Sequence, residues 1–329
     1  MAKRLTVEQQ IAELVALRDQ SATEESIAQL KAALASKQSL VVAKAAEVVQ
    51  HLALKDLQGD LETAFARLMT DPVKNDKLCA GKTAIATALQ GMELAAESTF
   101  LTGIKHTQME PVWGGESDTA VALRGRCAFG LVQMGYPKVM PLLVDLLADS
   151  SPEARVAAIQ ALAATGQEAA ALLLRLKIHL GDSQPVIAEA LAGLMRASPR
   201  DNVDFVGNFL GNPDANLAES AAVALGESRS VDALKVLTTH YRERLTRASR
   251  RIVLQAIALL RLPEAIDMLI EIVRQDDVPS GVHAIEALKL YRRDDHVRTR
   301  LQALVNARGE PALVEAMKEW SAADPAPVD

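Results

Sequence analysis

Apolar residues recur at intervals of three and four along nearly the whole chain, which is the spacing of one face of an α-helix. The segment 137–166 is the clearest example. Its first part, PKVMPLLVDLLA, predicts one helix, and residues 149–152 are then typical of a turn, with Pro152 suited to the first turn of the next helix. That next helix, PEARVAAIQALAAT, is predicted to end at Gly166 as a C′ glycine. Two helices joined by a turn are thus the predicted unit.

This unit repeats along the chain. A small residue followed by Leu or Met recurs late in the second helix of each unit, and the second members of these pairs are 42, 31, 32, 31, 34, 29 and 29 residues apart. The pairs are Ala88-Leu89, Gly130-Leu131, Ala161-Leu162, Gly193-Leu194, Ala224-Leu225, Ala258-Leu259, Ala287-Leu288 and Ala316-Met317. Neither helix can bury its apolar stripe alone, so neighbouring units are expected to stack.

The predicted fold class is therefore all-α, an α-α superhelix of about nine antiparallel helix pairs in one continuous domain of residues 1–329. The second helices are expected to start near residues 39, 74, 118, 152, 184, 215, 247, 279 and 310. We expect residues 1–22 to form a capping helix, residues 23–320 to form the pairs, and residues 321–329 to fray because they are short, Pro-rich and acidic.

The unit resembles the HEAT repeat, particularly the short bacterial form of phycobilisome lyase subunits. In that family an aspartate in the intra-repeat turn is followed six residues later by an arginine. Two units match this pattern, with Asp118 and Arg124, and with Asp149 and Arg155. The two following units carry Ala188 and Ser220 at the arginine position. The resemblance implies a right-handed, armadillo-type superhelix, with the polar ladder expected only within residues 118–155.

One unit contains an insertion in the segment HTQMEPVWGGESDT, residues 106–119. In the register of the two Asp-Arg pairs, Leu131 aligns with Leu162 and Gly135 with Gly166, so the second helix of the third pair is regular. One spacing is 42 residues, against 31 for the next. The extra residues therefore lie ahead of Asp118, where a loop over 106–117 is expected. Insertions of this kind lie at one edge of a solenoid, which is often the binding edge.

Within the expected loop, Glu110 and Pro111 are predicted to break the preceding helix, and Gly114 and Gly115 permit unusual backbone dihedral angles. Ser117 or Asp118 can cap the next helix. Trp113 has two interpretations. The favoured one is that it folds back between neighbouring pairs, since a long loop needs a packing anchor. The other is an exposed anchor for a partner, because Trp is enriched at binding hot spots.

Charge gives little support to nucleic-acid binding. The formal net charge is −6, although residues 240–300 carry twelve Lys and Arg against nine Asp and Glu. A solvated, salt-bridged surface is the favoured interpretation of this region, followed by a site for an acidic protein partner. Binding of nucleic acid through Arg247, Arg250 and Arg251 is the further alternative, since guanidinium groups suit phosphate.

No motif indicates catalysis, a cofactor or a metal. CAGKTA at 79–84 is similar to the end of a phosphate-binding loop, but Asp76 occupies the place of its first glycine. We expect residues 75–89 to form one helix, with Lys82 in solvent. None of the six histidines is followed by Glu, unlike the His-Glu pairs of the HEAT-like deoxyhypusine hydroxylases. Cys79 and Cys127 lack metal-type spacing and are predicted to be buried thiols.

These observations predict a non-enzymatic scaffold or adaptor. A protein or peptide partner is expected to bind the concave second-helix face and the 106–117 loop. The candidate contacts are Met109, Pro111, Trp113, Gly114, Gly115, Arg247, Arg250 and Arg251. The resemblance adds a second hypothesis, an assisting subunit of a phycobilin-lyase-type complex. The N-terminal sequence has no signal-peptide h-region and no window is apolar enough to span a membrane, so a cytoplasmic setting is expected.

Overall fold

The computed structural model describes residues 5–243 and 246–322. The chain divides between Thr165 and Gly166 into two compact units, which are described in turn. In both, most of the described residues are helical, and the predicted all-α fold of HEAT-like helix pairs is confirmed. No helix in these ranges combines the length and apolarity required to cross a membrane.

The first unit contains an N-terminal helix, four helix pairs and one β-hairpin within its described residues. The helices are α1 (Val7–Ala16), α2 (Glu24–Leu34), α3 (Ser39–His51), α4 (Gln58–Leu68), α5 (Pro72–Asn75), α6 (Ala80–Gly91), α7 (Glu97–Gly103), α8 (Val121–Gln133), α9 (Val139–Leu147) and α10 (Pro152–Ala164). The strands β1 (Met109–Val112) and β2 (Gly115–Asp118) are antiparallel and lie between α7 and α8. The second helices α3, α6, α8 and α10 pack successively into one layer, and α2, α4 and α7 form the other.

The second unit contains five further pairs in its described part. Its helices are α11 (Glu168–Leu180), α12 (Gln184–Ala197), α13 (Pro199–Gly207), α14 (Ala215–Glu227), α15 (Val231–Tyr241), α16 (Arg247–Leu259), α17 (Pro263–Gln275), α18 (Val278–Ala287), α19 (Asp295–Arg308) and α20 (Pro311–Ala322). The second helices α12, α14, α16, α18 and α20 again pack one against the next. A short 3-10 turn, Leu288–Tyr291, follows α18.

The repeat pattern located most second helices closely. The predicted starts at 39, 152, 184, 215 and 247 coincide with the first residues of α3, α10, α12, α14 and α16, and those of α18 and α20 differ by one residue. The local signals explain this accuracy. Ser151 accepts a hydrogen bond from the Ala154 amide at 3.4 Å and Pro152 occupies the first turn of α10. Gly135 and Gly166 both take positive φ, 70° and 64°, as C′ glycines do.

The prediction of one helix over residues 75–89 is wrong. The chain forms α5, then a 3-10 turn at Lys77–Cys79, and only then α6. Leu78 and Cys79 take left-handed φ values of 58° and 52°, which interrupt the helix. The physical reason is Asp76, whose carboxylate accepts hydrogen bonds from the amides of Gly81 at 2.7 Å and Lys82 at 3.0 Å. These bonds satisfy donors of the first turn of α6.

The repeated small–large pair lies inside the second-helix layers. Ala88, Leu89, Ala161 and Leu162, for example, are fully buried. The small member leaves room for neighbouring helices, and Gly226, which directly follows the Ala224-Leu225 pair, lies at such a close approach. A Cβ atom added to Gly226 in α14 would lie 2.5 Å from the backbone oxygen of Ala256 in α16. The pairs recur evenly because each one lies where a second helix packs against the next second helix.

We expect Gly226→Ala to destabilise the second unit by about 1–3 kcal/mol, because the added methyl group collides with backbone atoms that cannot rotate away. The gain in helix propensity, up to about 1 kcal/mol, is too small to compensate. Urea unfolding followed by circular dichroism measures the change. Gly211→Ala is the matched control, since no atom lies within 4 Å of its added Cβ. Equal unfolding curves for the two variants would contradict close packing at Gly226.

Candidate functional site

The insertion that the sequence predicts as a loop over 106–117 contains a β-hairpin. Met109 pairs with Asp118, Glu110 with Ser117, Pro111 with Glu116 and Val112 with Gly115. Trp113 and Gly114 form the two-residue turn, and the φ of Gly114 is 92°, as at the third position of a type II turn. The expected start of α8 at 118 is also wrong, because Asp118 belongs to β2.

We call the start of the hairpin, residues 108–110, the hairpin root. Its pattern of polar and apolar positions is inverted. In a strand with one buried face, the apolar side chains normally point inward. Here Gln108 and Glu110 are buried, whereas Met109 and Pro111 are exposed. The alternate positions of β1 that face solvent, Met109 and Pro111, are therefore apolar, and the exposed Glu116 of β2 is paired with Pro111.

Trp113 lies at the tip of the hairpin with its side chain fully exposed, at 103% of the reference area. The expectation that it folds back between neighbouring pairs is wrong. A packing anchor does exist, but it lies at the hairpin root, where Gln108 and Glu110 are buried. The tip can therefore project into solvent. Gly114 and Gly115 are also exposed, and Gly114 alone of the two has positive φ.

An ion pair buried beneath the hairpin holds this root in place. Lys82 and Asp76 are both 0% exposed, and the Lys82 Nζ lies 3.3 Å from Asp76 Oδ2. Lys82 Nζ also donates to Gln108 Oε1 at 2.7 Å. The expectation of a solvated Lys82 is wrong, because α6 lies between α3 and α8 in the second-helix layer. A buried ammonium group requires such partners, since desolvation without them is costly.

The side chains of Gln108 and Glu110 connect the hairpin to the segment around Asp76. Gln108 Nε2 donates to the Asp76 carbonyl and to Glu110 Oε1, both at 2.7 Å. Glu110 Oε1 also accepts from the Leu78 amide and from Thr119 Oγ1, again at 2.7 Å. The left-handed turn at Leu78 and the hairpin therefore stabilise each other.

The carboxylates at the root are held in their ionised form. Burial alone would raise the pKa of Glu110, but hydrogen bonds from Thr119, Gln108 and Leu78 outweigh it and the pKa is lowered. Burial likewise opposes ionisation of Asp118, and amide hydrogen bonds from Gln108 and Ala120, with the Arg124 guanidinium, lower its pKa. In the described residues, no group of three or more His, Cys, Asp and Glu is arranged to hold a metal ion.

Arg124 links the third helix pair to the fourth. Its nearly buried guanidinium lies 2.6 Å from Asp118 Oδ2 and, through Nε, 2.9 Å from Asp149 Oδ2. It also donates to the His106 carbonyl at 3.0 Å, just ahead of the hairpin. Arg155 donates to the carbonyl oxygens of Asp149 at 2.7 Å and Ser150 at 3.0 Å. The ladder residues thus fix the turn from which the hairpin projects.

The candidate arginines lie in the second unit, within the first turns of α16. Arg250 donates to Asp277 Oδ2 at 3.2 Å and to Ser280 Oγ at 3.0 Å, so it ties α16 to the start of α18. Arg247 and Arg251 are exposed. In the part of the chain that the structure describes, no carboxylate lies within 4.0 Å of either. Arg250 therefore has a structural role, which Arg247 and Arg251 do not share.

The two cysteines are buried free thiols, as predicted. Burial raises the pKa of Cys79 to about 11, and burial also raises the pKa of Cys127. Both remain protonated at neutral pH, and a protonated thiol is a poor nucleophile.

Replacing Lys82 by Met is expected to destabilise the first unit by about 3–5 kcal/mol, because Asp76 would remain in the core as an uncompensated charge. Urea unfolding monitored by circular dichroism gives this value. The matched control is Lys77→Met, since Lys77 is exposed on the neighbouring turn. If both variants unfold at the same urea concentration, the buried ion pair does not contribute as described.

The hydrogen bonds to Glu110 also predict a pH dependence. Its folded pKa lies below the ordinary value of 4.5, so the stability gained from ionisation is fully present above pH 4.5 and is lost as the pH falls through the folded pKa. Glu110→Gln retains an acceptor oxygen but cannot ionise. The unfolding free energy of the wild type should therefore fall relative to that of Glu110→Gln between about pH 5 and pH 3.

The exposed Glu116 of β2 provides the control for this pH series. The free-energy difference between the wild type and Glu116→Gln should change little over the same range, since an exposed carboxylate contributes little to stability. A difference between the wild type and Glu110→Gln that does not vary with pH would contradict the stabilisation of ionised Glu110.

Residues 116–179 match a family model described as HEAT repeats. Three solved structures resemble the chain. The complex of CpcE and CpcF of phycocyanin lyase from Nostoc sp. PCC7120 aligns at 16% identity over 80% of this chain and 94% of its own, with a TM-score of 0.40. Human deoxyhypusine hydroxylase with glycerol aligns at 18% identity over 82% and 98%, with a TM-score of 0.32. An engineered protein aligns at 17% identity over 98% and 97%, with a TM-score of 0.40.

No curated protein matches the chain in sequence. The family match begins at Glu116 in β2 and continues through α8, α9 and α10 into α11. It therefore includes the helices that follow the hairpin and both Asp-Arg pairs of the ladder. The repeat type that the sequence resembles is thus the one that the family model matches over residues 116–179.

Proposed function

We propose that this protein is a non-enzymatic scaffold that binds a protein partner through the outward side of its hairpin. The observation that carries the proposal is the complete exposure of Trp113 at the tip of a hairpin whose root is held by buried hydrogen bonds. Met109, Val112 and Leu78 are large apolar side chains that are also exposed. We call these four residues the tip patch.

The members of the tip patch belong to the hairpin or to the turn that is bonded to it. Met109, Val112 and Trp113 lie within a single hairpin, and the Leu78 amide is bonded to Glu110 of the same hairpin. Exposed apolar side chains that cluster in this way favour association, because burial of apolar surface contributes about 25 cal/mol per Å². Trp is also among the residues that most often dominate binding energy at interfaces.

The fixed root favours binding by a preformed surface. A hairpin that must become ordered on binding loses part of its interaction energy to conformational entropy. In this protein the root is already restrained by Lys82, Gln108, Glu110 and Thr119. The expected mode is therefore insertion of a rigid aromatic tip into an apolar cleft of the partner.

Charge and backbone chemistry favour a protein over nucleic acid at this site. Residues 106–119 contain three carboxylates and neither Lys nor Arg, so phosphate groups would be repelled. On the β1 edge, Pro111 has no N–H group to offer to an added strand. Recognition is therefore expected to depend on side chains of the tip patch.

The hypothesis of an assisting role in a phycobilin-lyase-type complex is a special case of this proposal, in which the partner is another subunit of that complex. Co-expression with a bilin chromophore and an acceptor protein tests it. Chromophore attachment that depends on the intact protein, and falls when Trp113 is replaced by Ser, supports this special case. Attachment that is independent of the protein removes it and leaves the general proposal in place.

The general test is affinity capture from a lysate of the source organism with the triple variant Met109→Gln, Val112→Thr and Trp113→Ser. We expect at least a tenfold lower recovery of bound partner than with the wild type, because the replaced side chains form most of the tip patch. Circular dichroism and urea unfolding should remain those of the wild type, since all three positions are exposed. Deleting 107–116 is a poorer test, because Gln108 and Glu110 would be lost from the core.

Leu40→Gln is the matched control, an exposed apolar residue at the start of α3. It should leave recovery unchanged. Equal recovery by the wild type and by a correctly folded triple variant would exclude the tip patch as a binding surface.

A further inference from the structure

The second-helix layer of the second unit contains a groove along α16, between α14 and α18. We call it the α16 groove, and it encloses about 290 Å³. Its apolar lining includes Val223 of α14, Ile252 and Leu259 of α16, and Leu290 in the turn after α18. Val223 and Leu290 both line the groove and are exposed to 37% and 46%. This part of the groove can receive an apolar side chain of a partner.

Two carboxylates line the same groove. Glu219 projects from α14 and Glu286 from α18, so they approach it from the helices on either side of α16. In residues 5–243 and 246–322, neither carboxylate has Lys, Arg or His within 4.0 Å. The field between two unpaired carboxylates attracts a cationic side chain and repels an anionic one.

The N-terminal end of α16 carries the opposite charge. Arg247 and Arg251 are one helical turn apart on one face of the helix and are exposed. The first turn of α16 contains no acidic residue, although the helix dipole favours negative charge at this end. Two cations at this end of the helix are unfavourable in the free protein, and an anionic group of a partner would relieve the repulsion.

We propose that the α16 groove binds a linear segment of a partner protein with a defined order of side chains. A carboxylate contacts Arg247 and Arg251, a Lys or Arg lies between Glu219 and Glu286, and an apolar side chain enters the pocket beside Leu259 and Leu290. The distance along α16 from Arg247 to Leu259 is about 18 Å, at 1.5 Å per residue. This length corresponds to a short helix or to about five extended residues.

This inference rests on the proposed function only for its premise that the partner is a protein. It concerns a different unit from the hairpin and a different chemistry, since the tip patch contains no charged side chain. Nucleic acid fits the groove less well, because Glu219 and Glu286 would repel a phosphate backbone that follows the face of α16.

The experiment uses a phage-displayed library of random 12-residue peptides, selected on the intact wild-type protein. Each round is first depleted on the double variant Val223→Gln and Leu290→Gln, which changes two exposed residues of the groove. We expect enriched peptides to carry an acidic, a basic and an apolar residue in that order, or in the reverse order. Their affinity should fall at least tenfold with Glu219→Gln and Glu286→Gln together, and similarly with Arg247→Glu and Arg251→Glu together.

Two further variants serve as controls. Leu172→Gln replaces an exposed leucine of α11 outside the groove and should leave peptide affinity unchanged. Trp113→Ser should also leave peptide affinity unchanged. The experiment therefore tests binding at the groove separately from binding at the tip patch. Circular dichroism confirms that every variant is folded.

Three results would overturn the inference. The first is a selection in which no peptide prefers the wild type over the groove variant. The second is an enriched pool that is acidic and lacks Lys or Arg. The third is binding of a labelled single-stranded 20-nucleotide DNA that is lost with Arg247→Glu and Arg251→Glu while no peptide is enriched.

Discussion

The distinctive surface of the first unit depends on the ion pair between Lys82 and Asp76. Two charges taken out of water remain stable only if their hydrogen-bonding capacity is used. Asp76 meets this requirement by accepting the amides of Gly81 and Lys82, and Lys82 meets it by donating to Gln108. The start of α6 and the position of the hairpin root follow from the same pair of charges. A purely apolar core at this point would leave Gln108 Oε1 without the Lys82 ammonium group as its donor.

This buried polar core also accounts for the orientation of the hairpin. Once Gln108 and Glu110 occupy the inside, strand geometry turns the alternate residues Met109 and Pro111 to the outside. The apolar tip is therefore a consequence of the polar root. Helix pairs elsewhere in the unit bury apolar stripes against one another. In the hairpin, polar side chains are buried and apolar side chains are exposed. Trp113 therefore lies in solvent at the edge of a repeat.

The regular helices were predictable and the hairpin anchor was not, for a physical reason. Helix pairs are specified by local signals such as Ser151, Pro152 and Gly166, which lie within one repeat. The Lys82 ammonium group depends in part on Gln108, which lies 26 residues away, and the Leu78 amide depends on Glu110, which lies 32 residues away. A signal for β1 did exist, because residues 108–111 alternate between polar and apolar, but four residues are too few to identify a strand against an expected loop. The exposure of Trp113 could not be predicted without knowing that Gln108 and Glu110 anchor the hairpin in the core.

The amide of Leu78 reports most directly on whether the hairpin is held by the buried polar core. Its hydrogen-bond acceptor is Glu110 Oε1, at 2.7 Å, in the hairpin, so it is protected only while the hairpin is docked. Hydrogen exchange at this amide, measured by NMR at neutral pH, should be much slower than in an unstructured peptide, and Glu110→Ala should remove the protection. Exchange of the Leu78 amide at the unprotected rate in the wild-type protein would contradict the account.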